Sequence, residues 1–220
     1  MPAPEPLDTG VVAAALADGR AAILPNPSPL TYVVAATAPA VVNHAKGRPA
    51  GQEVALWVHH DAAWHGLGAA LALSPAALRS ALTLLRDELV TLLVPVRAGE
   101  PVPGPALPAL RDGHLLLFGA RWRPLAPLLG GFPLLYVSSA NRTGRAPVAT
   151  TAEAVAAFGP GVPVLGADAL RDAGAPHAAT TTLRIAADGS LALVRRGAQD
   201  RAHGPDPAGY LARLRAGLAR

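Results

Sequence analysis

Short apolar runs of strand length alternate along this chain with segments that carry helix start signals, and that alternation constrains the fold more than any other feature. Residues 21–24, 33–34, 54–58, 89–94, 115–118, 134–137, 162–165, 181–185 and 191–194 read as strands. Between them lie helical segments. Residues 8–17 can be capped by Asp8 or Thr9 and end at Gly19. Val41, Val42 and Ala45 stand at helical spacing, which puts Lys46 near a helix end. Pro75 opens a run to Glu88, and Thr150 with Glu153 three residues later forms a capping box. Asp188-Gly189 is a hairpin turn signal between the last two strands, so the sheet is mixed. Residues 97–108 are too rich in Pro and Gly for regular structure, and Gly130-Gly131 reads as a turn. An α/β domain with an open mixed sheet and flanking helices follows, spanning residues 1–200. Residues 207–219 read as an amphipathic helix with Arg213, Arg215 and Arg220 on its solvated side, so residues 201–220 join that domain or form a short appendage.

At 220 residues such a chain buries roughly 70% of its unfolded surface and needs no staple. It has no Cys, which excludes disulfides, zinc ribbons and thiol catalysis. The opening MPAPEPLDTG lacks the basic and apolar regions of a signal peptide, and the apolar windows are far short of the roughly 20 residues a membrane span needs. A soluble, cytoplasmic protein with no membrane partner is expected. A net charge of +4 is too mild to mark a nucleic-acid binder but suits an anionic ligand. The basic residues are 18 Arg and a single Lys, Lys46. Where Arg is favoured everywhere else, the exception points to a need for the compact ammonium.

Four groups of residues can carry chemistry. Lys46-Gly47-Arg48-Pro49 sets a movable point charge and a planar fork either side of a glycine, a pair able to grip a polyanion; alone, it also reads as a solvated surface pair. Ser138-Ser139-Ala140-Asn141, followed by Thr143-Gly144, leaves an apolar strand at the place where ligands of open α/β sheets bind; the same residues make an ordinary turn. Thr180-Thr181-Thr182 and Arg195-Arg196-Gly197-Ala198 face each other across the expected hairpin, although β-branched Thr is simply a good strand former. His59, His60, His65 and Asp61 match no metal-ligand spacing and read as a strand end followed by a loop, so no metal site is assigned. No P-loop, Gly-x-Gly-x-x-Gly or nucleophile elbow occurs.

In this order the groups resemble the YrdC-like family of threonylcarbamoyl-AMP synthases, over residues 11–198. Lys46 to Pro49 matches the family's Lys-x-Arg-Pro, and LLYVSSANRTG at 134–144 its strand, Ser-Ala-Asn and following Ser/Thr-Gly. Thr181-Thr182 fits the Ser-Thr strand, and Arg195 to Ala198 the Arg-x-Gly-Ala. The resemblance implies a twisted open sheet around a positively charged cavity. There L-threonine, bicarbonate and ATP would give threonylcarbamoyl-AMP and pyrophosphate for tRNA modification, with magnesium assisting and RNA contact possible. It assigns Lys46 and Arg48 to phosphate and carboxylate oxygens, Ser139 and Asn141 to nucleotide and intermediate, and Arg195 to a nucleotide phosphate. Thr31, Tyr32, Ser138, Thr181 and Arg121 would line the substrate, and no side-chain nucleophile is required. Several stretches depart from the family: the link from residue 33 to Lys46 is a few residues short, Asp87-Glu88 replaces its Pro-Gly ahead of Val90-Thr91, and two more bear on the substrate. Residues 25–33 lack its acid and carry extra prolines, and its Val-Arg-x-Pro aligns Gly119 with the arginine, so that only a register shift lets Arg121 serve. Two other readings stay open: a paralogue handling another carbamoyl or acyl adenylate, and a non-catalytic nucleotide- or RNA-binding module. The sequence is silent on oligomeric state.

Overall fold

The computed structural model describes residues 8–27, 30–119, 121–171 and 177–218. In chain order these form α1 (Gly10–Ala17), β1 (Ala22–Pro27), β2 (Leu30–Ala36), α2 (Pro39–Ala45), β3 (Ala55–Trp57), α3 (Asp61–His65), α4 (Pro75–Arg86), β4 (Thr91–Pro95), β5 (Leu110–Arg111) and β6 (His114–Phe118). They continue as α5 (Ala126–Leu129), β7 (Tyr136–Ser139), α6 (Thr151–Phe158), β8 (Thr182–Ile185), β9 (Leu191–Arg195), α7 (Ala198–His203) and α8 (Pro207–Leu218). The class is α/β, with open, mixed strand pairing and flanking helices. Ser28 and Pro29 of the proline-rich stretch, Ala120 ahead of Arg121, most of the amino-terminal decapeptide, and Ala219 and Arg220 of the terminal helix lie outside the described residues.

The chain divides into two compact units, each drawn from two stretches of sequence. In the first, Met1–Val54 with Trp122–Ala178, β1 and β2 form an antiparallel hairpin from Ala22↔Ala35 to Pro27↔Leu30. Strand β7 then adds antiparallel to β2, pairing Val33 with Ser139 and Val34 with Ser138. Val12 and Leu16 of α1 and Val42 of α2 are buried. In the second unit, Ala55–Arg121 with Ala179–Arg220, the order is β3-β6-β4-β8-β9. Strands β3 and β6 run parallel, as do β4 and β8, while β4 with β6 and β8 with β9 run antiparallel. Helix α4 buries Ala77, Ala81, Leu84 and Leu85, opened by Pro75 and by Ser74, whose Oγ accepts from the Ala77 amide at 3.2 Å.

Several expected boundaries move. Residues 162–165 form no strand but a single parallel bridge, Ile23↔Val164, because Pro163 has no amide to continue a ladder. Strand β4 begins at Thr91 rather than Leu89, since Leu89 takes φ 55° and cannot pair as extended chain. Strand β1 runs on through Pro25, and β7 starts at Tyr136 but takes in Ser138 and Ser139. The loop expected after His59 is instead the short helix α3, because the His60 ring accepts from the Ala63 amide at 3.1 Å. A 3-10 turn, Gly104–Ala109, interrupts the proline-rich connection, and α7 was not foreseen. Arg213 and Arg215 of α8 are exposed as expected, and both are bonded: Arg213 reaches the Glu88 carboxylate at 2.6 and 3.1 Å, Arg215 the Leu191 carbonyl at 3.1 Å. No helix among the described residues is long and apolar enough to cross a membrane.

Candidate functional site

Helix α2 ends at Ala45, and the chain turns at Gly47 with φ +66°. That turn sends Lys46 inward, where it is only 3% exposed. Its Nζ donates to the Ser139 carbonyl, to the Asn141 carbonyl at 2.9 Å and to Asn141 Oδ1 at 2.9 Å. Ser139 Oγ donates to the same Asn141 Oδ1 at 2.7 Å, and Asn141 Nδ2 donates to the carbonyls of Arg142 and Arg145 at 3.1 and 2.8 Å. Two motifs more than ninety residues apart are thus one hydrogen-bonded unit. From the far side Arg142 Nη1 donates to the Ala45 carbonyl at 2.9 Å, satisfying a free carbonyl at the end of α2.

Arg48, half-buried, donates from Nε to Asn43 Oδ1 at 2.5 Å and from Nη2 to the Glu53 carbonyl at 3.3 Å. Asn43 is fully buried and donates to the carbonyls of Ala50 and Gln52 at 2.8 and 2.7 Å, which folds the segment after Arg48 back on α2. Asn43→Ala removes all three bonds and is expected to cost about 2 kcal/mol, read as a lower midpoint in urea unfolding. The acceptors of both cations are neutral amide oxygens, so neither charge is cancelled by its hydrogen-bond partner. Burial, and then the Arg48 charge, push the Lys46 ammonium down to about 7. Burial lowers Arg48 as well. Three oxygens that converge on one point need three N–H donors on a single nitrogen, and only the ammonium carries three there.

The other expected site residues fall elsewhere. Ser138 pairs with Val34 in the strand ladder, and Thr31 lies on β2 opposite Asn26, 2% exposed. Tyr32 is fully buried, and its hydroxyl is engaged by neighbours within the unit. It donates to Asp168 Oδ1 at 2.9 Å, meets Thr151 Oγ1 at 2.8 Å and accepts from the Ala167 amide at 3.2 Å. Burial raises its pKa above the ordinary tyrosine value. The Tyr32 carbonyl accepts from the Ala140 amide at 2.8 Å, so its backbone, not its ring, supports the Ser139 to Asn141 turn.

Three candidates belong to the second unit. The Thr181 hydroxyl donates to Asp200 Oδ1 at 2.8 Å, and Arg195 Nη2 to the Thr180 carbonyl at 3.0 Å. Arg121 donates to the Val58 carbonyl at 3.0 Å and to Asp61 Oδ1 at 2.7 Å. That hydrogen bond and charge hold Asp61 below the usual carboxylate range. His59 meets the Trp57 carbonyl at 2.9 Å, and no group of three or more His, Cys, Asp or Glu converges on a metal position among the described residues. Asn43, Asp168 and Asp200, which organise these neighbourhoods, were not singled out from the sequence.

No family model matches the chain, and no curated protein matches it in sequence. Solved structures do, and the class they define is the YrdC-like fold. The chain is similar to Sua5 of P. abyssi complexed with L-threonine, with a TM-score of 0.61 and 17% identity over 85% of this chain and 53% of that one. Full-length HypF in its phosphate- and nucleotide-bound form matches at 0.61 and 16% over 86% of this chain and 29% of that one. YciO of E. coli matches at 0.57 and 13% over 85% and 87%. The chain therefore spans about half the length of Sua5 and under a third of HypF.

Proposed function

We propose that the chain is an ATP-using enzyme that condenses L-threonine and bicarbonate with ATP, giving threonylcarbamoyl-AMP, pyrophosphate and water, for tRNA modification. The observation that carries the reading is the buried Lys46, joined by hydrogen bonds to Ser139 and Asn141 and followed by Arg48. Two cations whose hydrogen-bond acceptors are neutral suit a polyanion, with the Glu53 charge acting on Arg48 alone. Support also comes from the fold shared with Sua5, crystallised with L-threonine, and HypF, crystallised with phosphate and nucleotide. In the reaction an oxygen of the N-carboxylated threonine attacks the α-phosphorus, a new P–O bond forms, and the bond to the departing pyrophosphate breaks. The protein's part is to position the reactants and neutralise charge, and no side chain is consumed. Lys46, its three N–H groups taken by Ser139 and Asn141, acts on phosphate and carboxylate oxygens through its charge, Arg48 serves the same oxygens, Ser139 and Asn141 serve the nucleotide and the intermediate, and the reading also gives Arg195 a phosphate oxygen. Magnesium is not assigned to protein ligands: the side chains around Lys46 are cationic or neutral, a donor set that does not fit a divalent ion.

A second reading keeps the adenylate chemistry and changes the acyl group. It is favoured by Gly119, which has no room for the family's arginine, and by the engaged Tyr32 hydroxyl. Both readings meet one assay, in which purified protein is given ATP and bicarbonate and pyrophosphate is measured. Release that requires threonine is the expected result. Release only with another amine or a carbamoyl donor selects the second reading, and no release with any of them overturns both.

A further inference from the structure

We propose that Asp200 is the residue that positions Arg195 for anion binding. The proposal rests on the reading that gives Arg195 a phosphate oxygen, and on a side chain that reading does not use. Asp200 is fully buried, and an uncompensated carboxylate in such a place costs several kcal/mol. Here it is compensated on every side. Oδ1 accepts from the Gly197 amide at 2.6 Å and from the Thr181 hydroxyl at 2.8 Å, and Oδ2 accepts from Arg196 Nε at 2.8 Å. The Asp200 amide in turn donates to Thr181 Oγ1 at 3.1 Å. Burial alone would raise its pKa, but the hydrogen bonds from Gly197, Arg196 and Thr181 outweigh it and keep the carboxylate ionised.

These partners bracket one interaction. Arg195 Nη2 donates to the Thr180 carbonyl. Asp200 holds the residue after Thr180 by its hydroxyl and the two residues after Arg195 by amide and guanidinium. The approach is close enough that a Cβ on Gly197 would lie 2.2 Å from the Thr181 amide nitrogen and 2.4 Å from the Ala179 carbonyl oxygen. Gln199 completes the clamp by accepting from the Thr181 amide at 2.8 Å and donating to the Leu89 carbonyl at 2.9 Å. The Thr-Thr strand and the Arg-x-Gly-Ala turn are therefore held together by a carboxylate that lies outside both motifs. Asparagine at 200 can still accept one or two of the bonds but loses the charge that holds Arg196, so Asp200→Asn keeps the volume while loosening the turn.

The test uses the full chain with Asp200→Asn, Arg195→Ala, the double variant and the isosteric Thr181→Val, each checked for folding by circular dichroism. ATP affinity is measured by titration, and the Arg195 guanidinium is followed by nitrogen NMR, assigned with Arg195→Lys. In the parent protein the guanidinium resonances of Arg195 should be split by hindered rotation; in Asp200→Asn they should average. Asp200→Asn should weaken ATP by roughly tenfold, as expected for a hydrogen bond to a charged group, and adding Arg195→Ala should weaken it little further. Thr181→Val should move both readouts in the same direction. Unchanged Arg195 resonances in Asp200→Asn overturn the proposal, as do ATP losses from the two substitutions that simply multiply. If the parent protein binds no ATP, the nucleotide reading fails, while the resonances still decide whether Asp200 positions Arg195.

Discussion

Replacing Lys46 with alanine is expected to lower pyrophosphate release by about a hundred- to a thousand-fold, the usual cost of losing one preorganised electrostatic contact to developing charge. Two losses combine: the phosphate oxygens lose a cation, and the carbonyls of Ser139 and Asn141 with Asn141 Oδ1 lose their shared donor. Lys46→Arg should not rescue, because a planar fork cannot set three donors on three oxygens that converge on one point. The same residue sets a pH dependence. With its ammonium lowered to about 7, the charge is present below that pH and fades above it. ATP affinity, titrated between about pH 6 and about pH 9, should therefore weaken as pH rises through about 7, and in Lys46→Arg the profile should be flat. Unfolding cannot mimic this. The folded value lies below the unfolded one, so between them the unfolded chain holds more protons, and this group makes the fold more stable as pH rises. An affinity independent of pH in the parent protein would remove Lys46 from the phosphates.

The local part of this architecture is written in the sequence because its signals act within a few residues. Asp188-Gly189 gives the hairpin as read, with Gly189 at φ +91° and the Ser190 amide on Asp188 Oδ1 at 2.9 Å. Thr150 caps α6 by accepting from the Glu153 amide at 3.0 Å, although Glu153 returns its carboxylate to Ala149 rather than to Thr150. The Lys46 cluster was legible by residue and not by bond. Lys46, Ser139 and Asn141 stand out as letters, but the oxygens that hold Lys46 are largely backbone carbonyls, which no letter marks. Asp168 and Asp200 were hidden because their partners are hydroxyls distant in sequence and backbone amides: one binds the Thr151 amide and a tyrosine 136 residues away, the other the Gly197 amide and the Thr181 hydroxyl. For Asp200 a signal existed, an acid three residues after Gly197 at the start of α7, which is the spacing of a helix cap. For Asp168 none did.

Gly119→Ala is expected to destabilise the protein by about 3 kcal/mol or more, at the upper end of what overpacking costs. Gly119 follows β6, and a Cβ built there would lie 2.2 Å from the Leu85 carbonyl oxygen and 2.4 Å from the Leu85 Cα. Both are backbone atoms in the last turn of α4, so trimming the Leu85 side chain to alanine should not rescue. The backbone itself has little freedom to yield. Leu84 and Leu85 are fully buried, and β6 is fixed by its register with β4 from Pro95↔His114 to Thr91↔Phe118. For a chain of this size the loss corresponds to roughly 10 °C in melting temperature, measurable by circular dichroism. An unchanged melting point would mean that α4 and β6 can part here, and that a side chain could be placed at 119 without cost. The expected loss has the opposite consequence. Close packing of α4 on the end of β6 excludes any side chain at 119, and the nearest described cation in sequence, Arg121, is held by the Val58 carbonyl and Asp61. Under either proposed reading, acyl-group recognition would then have to do without a side chain at position 119.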